Sequence, residues 1–178
     1  MNGRAYEAVV ATSHGRRRRD LYHSALVVCV PDGRFVIEQA PIPDGCGRER
    51  GVVGEGPVGT RWAGHWRIFR YEIRRWRHGV IADIDEAVDS PCRVTDDPLA
   101  AQRLLDLVPS VPLAVWGRDE LRVGEMWNSN SLTSWLIVSA GLDPATVPFP
   151  VHGRAPGWAA GADVAIRSRQ RGYAFMRV

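Results

Sequence analysis

The chain has 178 residues, 45% hydrophobic and 24% charged, which suits one globular domain over residues 1–178 and excludes a disordered or fibrous chain. All 23 basic residues are arginine, yet the formal net charge is only +3, too small to demand a nucleic-acid partner. No run of about 18 apolar residues exists to span a membrane, the N-terminus lacks a signal-peptide pattern, and three cysteines without a CxxC pair make neither a disulfide framework nor a zinc site, so the expectation is a cytoplasmic protein with no metal and no cofactor.

In chain order, Tyr6 to Ala11 fits a short strand. The run Arg16 to Arg19 reads as a solvated loop or as a contact for phosphate or anionic headgroups, whose oxygens arginine forks fit bidentately; the second reading leaves peripheral membrane contact open. Tyr22 to Val30 and Arg34 to Ala40 flank Pro31-Asp32-Gly33, a β-hairpin signal with its turn at Asp32-Gly33. That turn pairs Val27 with Glu38, and it puts His23 and Glu38 on one sheet face, offset by about 13 Å along a flat strand. Residues 41–64 are rich in glycine and proline and predict a long loop, commonly a functional one. Alternation over Trp66 to Ile73 predicts a half-buried strand, with Val80 to Ile84 continuing the meander.

The period then changes. Asp96-Asp97-Pro98 opens a helix whose stripe of Ala101, Leu104, Leu105 and Val108 stops at Pro109. Pro112 to Trp116 reads as extended. A second helix starts near Asn128-Ser129, is apolar nearly all round, and ends at Ala140 before Gly141 and Pro144. The tail from Thr146 reads as loop through Gly161, with Ala162 to Ser168 a helix or strand. The sum is an α+β layout, an antiparallel meander packed on a buried helix.

Three features carry chemistry. Ser129 opens the buried helix among unsatisfied N–H groups at the positive end of the dipole, which favours a developing oxyanion; Asn and Ser are also the commonest plain N-caps. His23 stands at the mouth of the first hairpin strand and Glu38 on the next strand. A GxGxxG match, Gly54 to Gly59, is discounted because Pro57 removes an amide donor and no helix follows. Trp62, Trp66, Trp127 and Trp158 lie in or beside loops and suit an apolar groove.

The order of His23-Ser24-Ala25-Leu26 on one strand, Val36-Ile37-Glu38 on the next, then Asn128-Ser129-Asn130-Ser131-Leu132-Thr133-Ser134-Trp135 opening a helix resembles the circularly permuted NlpC/P60 branch of the papain-like superfamily. That branch includes lecithin:retinol-acyltransferase-like proteins. The resemblance implies a papain-like fold and acyl transfer on an amide or ester, with Ser129 as nucleophile in the family's cysteine position. It also implies His23 as base, Glu38 as its orienting partner and Asn128 beside the oxyanion. The expected substrate is a lipid or peptide held near Trp127, Trp62 and Trp66. The alternative is an inactive binding module on the same fold.

Overall fold

The computed structural model describes residues 20–42, 50–81, 84–88, 90–149 and 153–175. Tyr6 to Ala11, Arg16 to Arg19 and Cys46 lie outside them. The architecture is mixed α+β. A four-stranded antiparallel sheet combines β2 (Leu26–Val30), β3 (Gly33–Pro41), β4 (Val52–Pro57) and β5 (Arg70–Arg77), in the order β2-β3-β5-β4. A two-residue strand β1 (Asp20–Leu21) pairs in parallel with β6 (Gly153–Arg154). Three helices follow the sheet: α1 (Pro98–Leu107), α2 (Ser129–Ser139) and α3 (Trp158–Phe175). No helix among the described residues is long and apolar enough to cross a membrane.

The hairpin forms, but its turn sits one residue earlier than expected. Val30 pairs with Gly33 and Val27 with Val36, so Pro31 and Asp32 make the turn. Proline's fixed φ suits the first turn position, which draws the turn onto Pro31. The register therefore slides by two residues, and Glu38 pairs with Arg74 of β5 on its other side.

The sheet is not a simple meander either. The expected loop over 41–64 contains β4, which takes the outer edge beyond β5. Its glycines suit that edge: a Cβ on Gly56 would stand 2.4 Å from the Tyr71 ring, so the strand lies flat against an aromatic. Residues 67–69 form a 3-10 turn and β5 starts only at Arg70, while Ile84–Glu86 is another 3-10 turn rather than a strand.

The core lies between one sheet face and the helices. Ile37, Tyr71 and Ile73 meet Leu104 and Leu105 of α1 and Leu132, Trp135 and Leu136 of α2. α1 has the predicted Asp97 cap, whose side chain accepts from the Leu99 amide. α2 ends at Ser139 and the chain turns away at Gly141, where φ is +91°, a conformation glycine adopts freely.

α3 is far longer than the sequence suggests, because Gly161 lies inside it. A Cβ there would come 2.0 Å from the Ser131 carbonyl oxygen and 2.2 Å from Ser134 Oγ. The glycine that weakens the helix signal is what lets α3 press against α2.

The opposite sheet face carries ion pairs. Glu72, 2% exposed, accepts from Arg50 Nε at 2.8 Å and from Arg74 Nε at 2.5 Å, and Arg74 Nη1 donates to Glu38 at 2.5 Å. Burial alone would raise the Glu72 carboxyl; hydrogen bonds and charge from Arg50 and Arg74 outweigh it and hold the group below the usual carboxylate range.

Candidate functional site

The site is organised by the start of α2. Asn128 caps it: its Oδ1 accepts from the Asn130 amide at 2.9 Å and the Ser131 amide at 3.3 Å, and Ser131 Oγ accepts from the Asn128 amide at 3.1 Å. This is a capping box with serine at the third position. The other end of the Asn128 amide donates to the Pro156 carbonyl at 2.7 Å. Asn128 thus holds the helix end to the loop before α3.

The remaining polar side chains of the turn are nearly all engaged. Ser131 Oγ donates to Gly157 O at 2.8 Å and Ser134 Oγ to Trp158 O at 2.7 Å, fastening α2 to α3. Asn130 Nδ2 donates to Tyr22 O at 2.9 Å and to Pro156 O at 3.0 Å, and Asn130 Oδ1 accepts from Ser24 Oγ at 3.0 Å. Residues 22–25 therefore leave the sheet and run along the helix start, carrying His23 with them.

Two hydroxyls remain. Ser129, buried at 6% exposure, makes no side-chain hydrogen bond with any described residue, and Thr133 Oγ1 is buried with no partner among the described residues. At 3.6 residues per turn these two lie about 40° apart around the helix, one turn from each other. The Ser129 amide is likewise the one N–H of the first turn without a hydrogen-bond partner among the described residues.

A cleft of ≈ 400 Å³ opens beside this turn. One wall is Tyr22 to Leu26, including His23, and the floor is Asn130, Thr133 and Ile137, one face of α2. Ile81, Ile84, Val88, Cys92 and Val94 form the opposite wall, and Val147 to Phe149 close one end with Trp158. The Phe149 and Trp158 rings meet edge to face at 5.4 Å. Its volume and mostly apolar lining suit a small ligand with a hydrocarbon part.

His23 lines this cleft, whereas Ser129 is not among its lining residues; Thr133, one turn further along α2, is. Glu38 is bound to Arg74 on the sheet face away from the helices. Trp127, 1% exposed, belongs to the core and presents no surface to a groove. Trp62 and Trp66 are exposed outside the cleft lining, and Trp158 is the tryptophan that lines it.

Sequence reasoning passed over Ser24, Asn130 and Thr133, since a serine–asparagine run reads first as capping. It also passed over Gln39, which shares the core face with Ile37 and keeps both amide atoms buried with no partner among the described residues. Strand alternation alone places Gln39 there. Among the described residues no cluster of three or more His, Cys, Asp or Glu side chains is arranged to hold a metal ion. Comparison with family models, with curated proteins and with solved structures returns no match for this chain.

Proposed function

We propose that the cleft belongs to a hydrolase or acyltransferase of the permuted papain-like type, acting on an amide or ester whose acyl part is apolar. The observation that carries the reading is that the Ser129 hydroxyl and amide bond to no described residue, at the start of a helix whose other polar side chains in that turn are nearly all bonded. A merely structural serine at a buried helix start is normally hydrogen-bonded, as Ser131 and Ser134 are here.

In this reading Ser129 Oγ attacks the acyl carbonyl and passes its proton to His23. The oxyanion gathers at the α2 N-terminus, where the Ser129 amide is the available donor. His23 returns the proton to the leaving group, and water or an acceptor then releases the acyl group from Ser129. Glu38 is bound to Arg74, so the reading rests on a Ser129–His23 pair.

The test is labelling with a fluorophosphonate. The native chain should react at Ser129, Ser129→Ala should not react, and His23→Ala should slow labelling by ~10²-fold or more. Ser129→Cys should become sensitive to iodoacetamide, since a thiol at a helix N-terminus ionises readily. Equal labelling of the native and His23→Ala proteins would overturn the pair.

A binding module is the second reading, favoured by the Glu38–Arg74 ion pair, which engages the carboxylate that would orient a base. It predicts no labelling of a folded chain, together with saturable quenching of Trp158 by medium-chain fatty acids.

A further inference from the structure

The connection between β4 and β5 exposes four large apolar side chains together. Trp62 is 71% exposed and Ile68 79%, with Trp66 and Phe69 partly exposed beside them. They sit on two consecutive 3-10 turns, Trp62–His65 and Arg67–Phe69. Trp66 meets Trp62 edge to face at 4.7 Å and Phe69 at 6.4 Å, so the three rings form one continuous ridge, with exposed Ile68 next to Phe69 in the chain. Exposing such a ridge to water is costly unless something covers it.

The charge around the ridge identifies the cover. Residues 58–70 contain Arg61, Arg67 and Arg70, together with His65, and no acidic residue. Arg61 pairs with Glu120 and Arg70 with Glu55. Arg67 makes no ion pair among the described residues, nor does Arg118, which donates from Nε to Gly59 O at 2.7 Å beside the ridge. Two uncompensated cations therefore flank a ridge of tryptophan, isoleucine and phenylalanine.

We propose that this ridge is a peripheral membrane-docking surface for anionic lipid bilayers. Tryptophan rings favour the headgroup boundary, with the apolar body in the acyl region and the indole N–H toward water. Ile68 and Phe69 add apolar depth, and Arg67 and Arg118 meet the negative headgroups. Two single turns are small for a protein partner, which ordinarily covers about 800 Å² on each side.

The placement is useful to the cleft. β3 ends at Pro41 opposite Tyr71, and β4 ends at Pro57 opposite Arg70, so the ridge lies at that end of the sheet. β2 begins at this end too, and the segment bearing His23 leads into it. Docking would bring the cleft's end of the molecule toward the bilayer. The proposal itself does not depend on Ser129.

Vesicle sedimentation of the full chain tests it, using phosphatidylcholine alone and phosphatidylcholine with about a third phosphatidylglycerol. The chain should pellet with the anionic vesicles and be released as salt is raised. Ile68→Glu should weaken binding about tenfold or more, and Arg67→Gln about fivefold. Circular dichroism should be unchanged in both, because the side chains lie outside the core. Pelleting that ignores Ile68→Glu, or that does not prefer anionic vesicles, would overturn the proposal. So would light scattering that shows a dimer abolished by Ile68→Glu, which would assign the ridge to a second copy of the chain.

Discussion

Gly161→Ala tests the packing that fixes the α2 N-terminus. By helix propensity alone the change should stabilise α3 by about 1 kcal/mol. The structure predicts the opposite. The new Cβ would stand 2.0 Å from Ser131 O, about 1.4 Å short of the 3.4 Å at which ordinary contact begins. The obstruction is helix backbone, so α2 and α3 must separate. Overpacking of this kind costs ~1–3 kcal/mol. Separation also strains the Ser131–Gly157 and Ser134–Trp158 hydrogen bonds, at 2.8 and 2.7 Å, each contributing about 1 kcal/mol. Set against the propensity gain, the net loss is roughly 2–4 kcal/mol if both bonds are lost. That corresponds to a Tm lower by roughly 4–16 °C for a chain of this size. Urea and thermal melts followed at 222 nm measure it. Gly59→Ala is the control, because nothing lies within 4 Å of its added Cβ and only the strain of φ +75° remains, about 1–2 kcal/mol. A Gly161→Ala protein as stable as the native one, or more so, would refute the close docking of the two helices.

Asn130→Ala removes the anchor of the Tyr22–Ser24 segment and should cost about 2–4 kcal/mol, with faster amide exchange at residues 22–25 than elsewhere. Glu72 has a folded pKa below its unfolded value of ~4.3, so its stabilisation is present above that pH and lost as pH falls through the folded pKa. Glu72→Gln should therefore be less stable at pH 7 yet show a flatter acid limb in urea melts between pH 3 and 7. Burial, and secondarily Glu120, holds the Tyr71 hydroxyl above its usual pKa; its contribution is full below about pH 10, the unfolded value, and declines as pH rises beyond it. Tyr71→Phe should lose about 1 kcal/mol at pH 7 with the 2.7 Å bond to Ala114 O, and should flatten the alkaline limb of the same melts.

What the sequence discloses follows the range of the forces involved. Local signals were legible: the Asp97 cap, the α2 span between the Asn128 cap and Gly141, and the hairpin, though with its turn expected one residue late at Asp32-Gly33. Long-range choices were not. Nothing near Val52 says that β4 will pass β3 and pair with β5, where Gly56 lies against the Tyr71 ring from a distant part of the sequence. Likewise Gly161 reads as loop until α2 is placed beside it. The site divides in the same way. Its helix start was visible as a motif, but the commitment of Glu38 to Arg74 depends on a cross-strand partner 36 residues away.

α2 separates structural from available polar groups by angle. Ser131 and Ser134 face α3 and bond to it, while Asn130 ties the His23 segment down. These fixings act on three sides of one helical turn, through the cap, the α3 contact and the anchored segment. A group held this way loses little further freedom when it meets a ligand, and that is the condition under which a fixed nucleophile gains over the same group in water. Glu38 is held by Arg74, and in the proposed reading the backbone of residues 22–24, anchored by Asn130, positions the segment that carries His23. Asn130 would then act on His23 through that backbone, as a positioning residue.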